Sequence, residues 1–457
     1  MNADEYLRED GIGLATLIIK GEVSAAEVAQ AAIARIEEKN PSINAVIMKN
    51  HDAISNTAET GASPLYGVPF LLKDVNLYSR DMPTTFGSSY FRQAAPRPDS
   101  VMVERWRAAG LTILGKTNTP EFAAEFVTEP RAYGVTRNPA NPDVTVGGSS
   151  GGAAAAVASG MVPIAHATDL GGSIRIPASC CGVFGFKPTA GLNPVGPYFA
   201  EIAGGLNSDH VVTRSVRDSA ASLDITAATA RGDSYLAALS RPLRKLRIGI
   251  GKRAPSGEMA GANQVSAVEQ VARALEDAGH AITEYRYPAA TASAEWFDML
   301  WIYDILDLVE ARAREIGKQP EDNDLEQLTW HLLEKARQGG VDGYQRAQIC
   351  RRAYVDEYLA SLGDIDILLT PTLSQDPAPV GTLSFNRFPN IETWGETGYR
   401  FAPFSIPANL CGQPAASCPT FKTADGLPVG VQIAAKPGED ALLLQLAAQI
   451  EAIVGWR

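Results

Sequence analysis

The stretch GGSSGGAAAAVASGMVPIAHATDLGGSIRIPASCCGVFGFKPT, residues 147–189, differs in composition from the rest of the chain. It contains three glycine pairs, and the first two enclose a pair of serines. Because glycine has no Cβ atom, such pairs let backbones approach closely and leave amide N–H groups available in loops. The small residues from Ala153 to Ser159 predict a tightly packed helix, and Val162 to Thr168 predict a strand.

Two further buried strands are predicted upstream of this stretch. YGVPFLLKDVN (66–76) is typical of a short buried strand that runs into a loop, and LTILGKTN (111–118) is typical of a second one. A helix over 98–109 is predicted between them. Nearer the start, the capping box Ser24-Ala-Ala-Glu27 begins a helix that Asn40-Pro41 is expected to end. This alternation of helices and strands predicts an α/β layered core.

Downstream of about residue 218 the pattern becomes mainly helical, as far as about residue 360. Within that part, LRIGIG (246–251) is a strand candidate. ILLTP (367–371) predicts another strand, and Asp425-Gly426 between two apolar segments predicts a hairpin. A final helix is expected from about Glu439 to Val454. We find no internal repeat and no flexible linker, so the pattern favours one large domain with a helical insertion.

The composition is that of a globular protein without a nucleic-acid partner. Of 457 residues, 45% are hydrophobic and 20% are charged, and the formal net charge is −12. This acidic balance lacks the basic surface that nucleic acid requires, and it disfavours anionic substrates unless a local pocket overrides it. The five cysteines are odd in number and two of them are adjacent, which does not indicate a disulfide framework.

The sequence also gives no sign of secretion or of a membrane partner. The start, MNADEYLRED, is acidic and polar, which is unlike a signal peptide. There is no run of about 18 strongly apolar residues that would predict a transmembrane helix. Together with the cysteine pattern, these features predict a cytoplasmic protein.

Several common functional motifs are incomplete. The five histidines show no HExxH or other paired ligand spacing and there is no CxxC, so no metal site is predicted. GGSSGG is not followed by Lys-Ser/Thr as in a phosphate-binding loop, and GIGKR (249–253) lacks the third glycine of a dinucleotide fingerprint. GGSSGG does contain G-x-S-x-G, but the preceding NPANPDVTV does not read as the buried strand of a nucleophile elbow.

A combination of three segments is more specific than any of these motifs. GGSSGG is followed by ATDLGGSIRIPASCCGVFGFKPT (167–189), and Lys73 ends a predicted strand upstream. This combination resembles the amidase signature family over most of the chain. The resemblance implies that Ser173 is the nucleophile, that Ser149, held in a cis peptide, is the bridging serine, and that Lys73 is the general base. It also implies an α/β/α sandwich around a large mixed β-sheet, with no cofactor. Within the family, TEPRAYGVTRNP (128–139) and IRIPASCCG look most similar to hydrolases of 6-aminohexanoate cyclic dimers.

The chemistry of these residue types agrees with the roles that the resemblance implies. Serine is a weak nucleophile that needs a base, and lysine is a base only when it is neutral. Burial in an apolar strand disfavours the ammonium form of Lys73 and lowers its pKa. We expect Ser149 to relay protons between Ser173 and Lys73. The backbone N–H groups expected to stabilise the oxyanion are those of Leu170, Gly171, Gly172 and Ser173.

Other polar residues near the motifs have structural interpretations. Asp169 and Arg175 flank the nucleophile, and a buried ion pair that fixes the loop is favoured over direct catalysis. Thr168 and Ser150 are expected to form hydrogen bonds in the loops, and Lys116 in GKTN is interpreted as structural. Tyr133 fits either packing or the substrate pocket. For Trp301, Trp330 and Trp394, packing in the core or in a lid is favoured over substrate recognition.

We therefore predict a single amidase domain over 1–457. It is divided into N-terminal helices (about 1–60), a signature core (about 61–230), a helical insertion or lid (about 285–360) and C-terminal core strands and helix (about 361–457). The predicted reaction is hydrolysis of a small uncharged amide, which is linear, cyclic or aryl, or of a carbamate, with ester hydrolysis as a side activity.

Two alternatives stay open at this stage. One is an amidotransferase A-type subunit that acts with partner chains, and the other is a non-catalytic binding module that kept the fold. The resemblance is also compatible with a homodimer, because members of the family are often dimeric.

Overall fold

The computed structural model describes residues 1–56, 63–227, 234–289 and 296–456. Its centre is one mixed β-sheet, in which eleven strands of the described residues pair in the order β1-β3-β2-β4-β6-β5-β10-β11-β9-β7-β8. The strands are β1 (Val46–Lys49), β2 (Pro69–Lys73), β3 (Thr112–Thr117), β4 (Ile164–Asp169), β5 (Phe184–Lys187), β6 (Ser208–Thr213), β7 (Arg247–Ile250), β8 (Ala281–Glu284), β9 (Ile367–Pro371), β10 (Ala415–Lys422) and β11 (Pro428–Ala435).

Helices flank this sheet. Those of the described residues are α1 (Ala3–Arg8), α2 (Gly11–Ile19), α3 (Ala25–Ile43), α4 (Val101–Ala108), α5 (Gly151–Ala158), α6 (Arg175–Cys181), α7 (Val216–Thr226), α8 (Tyr235–Ala238), α9 (Ala262–Asp277), α10 (Ile302–Ile316), α11 (Gln327–Leu362), α12 (Ile391–Phe401), α13 (Ile406–Leu410) and α14 (Asp440–Val454). None of them is long and apolar enough to cross a membrane.

Alternating side chains of the strands bury the two faces of the sheet against different helices. On β2, Leu71 packs in a core cluster with residues of α3 and α5, whereas Phe70 and Leu72 pack in a second cluster with Trp106 of α4. Because successive side chains of a strand point to opposite faces, this division shows helices on both sides of the sheet. The predicted α/β/α sandwich with a large mixed sheet is therefore confirmed.

Parallel pairing at the centre of the sheet aligns the ends of two strands. β2 pairs in parallel with β4, and Phe70 lies opposite Ile164. The carboxyl ends of parallel strands meet at the same edge of a sheet, so Lys73 at the end of β2 and Asp169 at the end of β4 come close together. The two glycine-rich loops approach this same edge, since one precedes α5 and the other precedes α6.

Most predicted elements are present with shifts of one to three residues at their ends, and the hairpin at Asp425-Gly426 joins β10 to β11. The predicted end of the first long helix at Asn40-Pro41 is wrong, because α3 continues through Pro41 to Ile43. Asn44 then ends it in the left-handed conformation, with φ of 57°. Proline therefore lies in the last turn of the helix rather than after it.

The segment from 296 to 362 forms a layer that packs against the loops after β2 and β3. Phe297, Leu300 and Ile302 share a core cluster with aromatic residues of the sheet domain, including Phe86 and Phe122. Arg351 on α11 donates to the carbonyl oxygens of Gly204 and Leu410. The predicted division of the chain into one domain with four parts stays a prediction, and its boundaries near residues 60 and 230 lie outside the described residues.

Glycine at position 152 allows α5 to contact two backbone segments directly. A Cβ atom on Gly152 would lie 2.5 Å from the backbone N and O of Asn118 and 2.8 Å from the carbonyl oxygen of Ala45. These atoms are backbone atoms of packed segments, so a side chain cannot be accommodated by a rotamer change. The glycine pair that follows the two serines thus brings α5 close to β3 and β1.

We predict that Gly152→Ala lowers the free energy of unfolding by roughly 1–3 kcal/mol, because the added methyl group collides with backbone. Gly395→Ala is the matched control: it also lies in a helix, and its Cβ atom would come no nearer than 3.7 Å to Tyr399. That control should be neutral or stabilising, since alanine favours helix over glycine by roughly 0.5–1 kcal/mol. Urea unfolding of both variants measures the difference; equal effects would contradict this explanation.

Candidate active site

A buried lysine side chain lies at the centre of the site. Lys73 has no solvent exposure, and its Nζ atom is 2.7 Å from Ser149 Oγ, 2.9 Å from Ser150 Oγ and 2.8 Å from Thr168 Oγ1. All three neighbours are hydroxyl groups, which do not neutralise a positive charge as a carboxylate does. Burial lowers the pKa of Lys73 to about 7, although the charges of Asp209 and Asp169 act in the opposite direction. A large part of the lysine is therefore the free amine at neutral pH.

The hydroxyl protons around this amine have different roles. The Ser150 hydroxyl donates to the carbonyl oxygen of Thr168 and accepts from the Thr168 amide, both at 3.2 Å. Its proton is thus already used within the loop. A neutral amine has two N–H donors and one lone pair, so one of the hydroxyls of Ser149 and Thr168 can donate to the lone pair of Lys73. Ser149 is the nearer of the two.

A histidine and an aspartate support the backbone at Lys73. The amide of Lys73 donates to Nδ1 of His166 at 3.2 Å, and Nε2 of His166 lies 3.0 Å from Asp209 Oδ1. Since Nδ1 accepts, Nε2 carries the proton and donates to the carboxylate. Burial lowers the pKa of His166, in keeping with this neutral tautomer. The pair connects strands β2, β4 and β6 directly beneath the lysine.

The two serine loops are joined to each other and open into one pocket. The amide of Ser150 donates to the carbonyl oxygen of Ser173 at 3.2 Å. The peptide bond between Gly148 and Ser149 is cis, as the family resemblance implied. Ser149, Ser173 and Thr168 all line the same pocket. The structure therefore brings the three predicted triad positions to one place, with Lys73 behind Ser149.

Asp169 and Arg175 form a buried, two-pronged ion pair. Arg175 Nε and Nη2 lie 2.9 and 2.8 Å from the two oxygens of Asp169. The remaining guanidinium N–H groups donate to the carbonyl of Ser405 and to the side chains of Gln432 and Asn409. Burial alone would raise the pKa of Asp169, but Arg175 lowers it to about 2. This pair holds the start of α6 against the end of β4.

The carboxylate of Asp169 also determines which loop amides are free. It accepts the N–H of Gly172 at 2.8 Å. The sequence analysis predicted that this N–H stabilises an oxyanion, whereas here it is used to close the loop onto Asp169. Within the described part of the chain, the N–H groups of Leu170, Gly171 and Ser173 have no intramolecular acceptor. These three residues also line the pocket.

The pocket above the serines is mainly apolar and aromatic. One wall comes from the layer beside the sheet, and includes Phe297, Trp301 and Ile305. Trp394 and Tyr399 of α12 contribute to another wall. The aromatic side chains Trp301 and Trp394, for which the sequence favoured packing, therefore also line the pocket.

Two residues that sequence analysis considered lie elsewhere. Tyr133 is not a lining residue; its hydroxyl is 2.9 Å from Thr85 Oγ1, and Arg92 lies over its ring. Lys116 is fully buried, with Nζ 3.3 Å from Asp74 Oδ1 and 2.5 Å from Thr84 Oγ1. Lys116 thus has the carboxylate partner that Lys73 lacks.

His166 and Asp209 were not identified as site residues from the sequence. The one available signal was a histidine within the otherwise small and apolar segment IAHA of a buried strand. Asp209 is 43 positions away along the chain, and no spacing rule connects the two residues. Among the described residues there is no group of three or more side chains suited to a metal ion.

Comparison with known proteins agrees with this geometry. The family model described as Amidase matches residues 27–444. The chain is 36% identical over 480 residues to a 6-aminohexanoate-cyclic-dimer hydrolase of Pseudomonas sp. (strain NK87), covering 98% of this chain and 96% of that protein. It is 33% identical to an acylamidase of Rhodococcus erythropolis, covering 97% and 95%.

A solved structure of 6-aminohexanoate cyclic dimer hydrolase complexed with substrate superposes with a TM-score of 0.93 at 33% identity, covering 98% of both chains. Sequence, fold and the grouping of Lys73 with two serine loops thus lead to the same assignment. The chain belongs to the amidase signature family of hydrolases that act on C–N bonds other than peptide bonds.

Proposed function

We propose that this enzyme hydrolyses small amides through an acyl-enzyme formed on Ser173, with Ser149 and Lys73 as the proton relay. The observation that carries the proposal is the contact of the buried Lys73 amine with Ser149 at 2.7 Å, in a pocket that Ser173 also lines. Because the pKa of Lys73 is lowered to about 7, this amine is able to accept a proton near neutral pH.

In the first step, the Oγ atom of Ser173 attacks the amide carbonyl carbon. Its proton passes to Ser149 while the Ser149 proton passes to the lone pair of Lys73. The bond formed is Ser173 Oγ–C, and the carbonyl oxygen becomes an oxyanion. Ser150 is excluded from this relay since its proton is held by the Thr168 carbonyl.

The oxyanion is stabilised by backbone N–H groups of the nucleophile loop. We assign this role to Leu170, Gly171 and Ser173, whose amides have no acceptor within the described residues. Gly172 instead supports the hole indirectly, because its N–H fixes the loop to Asp169. Donors that are held in place before the reaction need no reorganisation as the charge develops.

Collapse of the tetrahedral intermediate breaks the C–N bond. Lys73 then returns its proton through Ser149 to the leaving nitrogen. Water enters, loses a proton to the same relay and attacks the acyl-enzyme, which releases the carboxylic acid and restores Ser173. In each half-reaction the relay gives up the proton that it has taken, first to the leaving amine and then to Ser173, so these residues account for the reaction without a cofactor.

The substrate class is proposed from the pocket and from the relatives. The mainly apolar lining suits a small organic amide, and the similar proteins are named for a cyclic dimer of 6-aminohexanoate and for acylamides. Linear, cyclic and aryl amides are all within this proposal, as are carbamates. Ester hydrolysis is expected as a side activity, since an alkoxide is a better leaving group than an amine.

An amidotransferase subunit is the second candidate, because subunits of that kind share this fold family. It predicts a requirement for partner chains, whereas the hydrolase acts alone, as a monomer or homodimer. We also propose a reducing, cytoplasmic setting, which the five free cysteines support.

Our first functional prediction concerns the nucleophile. A serine-directed fluorophosphonate should label Ser173 alone, and Ser173→Ala should lose both labelling and amide hydrolysis, while the folded fraction is unchanged. Ser159→Ala, outside the pocket, is the control and should keep both. The isolated chain should release free acid and free amine in equal amounts; activity only with a partner chain would favour the amidotransferase.

The second prediction concerns pH. Since the neutral amine is the active form and burial lowers the pKa of Lys73 to about 7, kcat/KM should rise through a limb near pH 7 and level off above it. Lys73→Ala should lose at least about a thousandfold in kcat/KM and show no such limb. A variant of Lys73 that keeps the wild-type pH profile would rule out this base.

The third prediction separates the two hydroxyls that remain as relay candidates. Ser149→Ala should lower kcat by at least about a hundredfold, since it interrupts the proton path. Thr168→Val removes a hydrogen bond to the same Nζ atom with little change of shape, so it is the matched control and should cost much less. Equal losses in steady-state kinetics would show that contact with Lys73, rather than proton relay, explains the effect.

A further inference from the structure

Two acidic side chains that line the pocket have no cationic partner among the residues that the structure describes. Glu125, Asp298 and Asp304 are the acidic lining residues, and among the described residues the lining contains no lysine, arginine or histidine. Asp298 is compensated, because Lys335 Nζ lies 3.1 Å from it and the Tyr399 hydroxyl donates to it at 2.6 Å. Glu125 and Asp304 have no such compensation by a cation in the part of the chain that is described.

Both carboxylates are partly withdrawn from water. The amide of Ala203 donates to Asp304 at 2.5 Å, and burial raises the pKa of Asp304 to about 6. Burial raises the pKa of Glu125 well above its ordinary value, and the nearby Glu326 and Glu129 raise it further. A positive charge close to a half-buried carboxyl group stabilises its ionised form. Such a group therefore favours binding of a cation.

Aromatic rings accompany these carboxylates in the pocket wall. Asp304 is in the first turn of α10, and Trp301, which also lines the pocket, is the N-cap residue of that helix. Glu125 precedes Phe126, whose ring centroid is 5.6 Å from that of Trp394. Ring faces and carboxylates together are the groups that bind organic ammonium ions.

From this lining we infer that the preferred substrate carries a primary ammonium group, separate from the amide that is cleaved, and that Asp304 binds it beside Trp301. Glu125 lies elsewhere in the lining, since the negative charges that raise the pKa of Asp304 are those of Asp307 and Glu201. The substrate class is then an amide of an ω-amino acid or of a diamine, and anionic amides are rejected. This inference rests on the proposed function and narrows its substrate, which the sequence analysis took to be uncharged.

Binding of small probes tests the inference without any catalysis. At pH 8, where Asp304 is ionised, n-hexylamine, 1-hexanol and hexanoate can be titrated against the enzyme by calorimetry. We expect hexylamine to bind at least about tenfold more tightly than hexanoate, with hexanol between them. Asp304→Asn should abolish the preference, whereas Glu125→Gln, the same kind of change elsewhere in the lining, should keep most of it.

Glu310→Gln is the matched control, since Glu310 is also on α10, half exposed beside Arg314, and is not a lining residue. It should keep the wild-type preference. Hexanoate binding as tightly as hexylamine, or a preference that survives in Asp304→Asn, would overturn the inference. Binding of the three probes to the unmodified enzyme tests the charge preference even if a variant does not fold.

Hydrolysis separates this inference from the proposed function. The p-nitroanilides of 6-aminohexanoic, hexanoic and adipic acid have similar lengths and carry positive, zero and negative charge at the far end. The expected kcat/KM is at least about tenfold higher for the cationic than for the anionic anilide. Ser173-dependent hydrolysis without that order contradicts only the charge preference, whereas hexylamine binding without any hydrolysis contradicts only the amidase proposal.

Discussion

The constraint on which the site depends is a lysine amine buried among hydroxyl groups. Two fully buried lysines lie on adjacent strands of this sheet, and they show how the group in contact with the amine determines its charge state. Lys116 on β3 contacts the carboxylate of Asp74, which favours its ammonium form, whereas Lys73 on β2 contacts only hydroxyls. Burial lowers the pKa of both lysines, but only at Lys73 does the amine face a pocket with a serine in contact. Similar burial thus gives a structural ion pair in one case and, in the mechanism that we propose, a base in the other.

The loops around Lys73 are held by the opposite arrangement, a buried charge that is fully compensated. Arg175 uses all of its N–H groups, and three of its acceptors, Ser405, Asn409 and Gln432, come from the last quarter of the chain. Removal of one partner from such a pair leaves an uncompensated buried charge, which costs roughly 3–5 kcal/mol. The C-terminal part of the chain therefore fixes the nucleophile loop, and the continuous sheet is required for the site as well as for the core.

Local sequence features predicted the parts of the site that local chemistry determines. Glycine pairs indicated loops that contact other backbones, and an apolar strand ending in Lys73 indicated a desolvated amine. The predictions failed where the outcome depended on how a loop folds or on contacts between distant parts of the chain. The N–H of Gly172 was expected to be free, but the geometry of the loop places it on Asp169. The support of Lys73 by His166 could not be predicted, since the contact joins β2 to β4 across 93 positions of the chain.

The substrate pocket is the part that sequence patterns describe least, because its lining comes from segments far apart in the chain. It also has to satisfy two electrostatic requirements. Carboxylates that recognise a cation must lie away from the lysine, since a nearby negative charge raises the pKa of a lysine and stabilises its protonated form. The carboxylates that act on Lys73 are Asp209 and Asp169, and each is engaged by other side chains, whereas Glu125 and Asp304 do not contribute to its pKa. In the mechanism that we propose, the pocket is thus able to hold negative charge for substrate recognition while Lys73 stays a neutral amine.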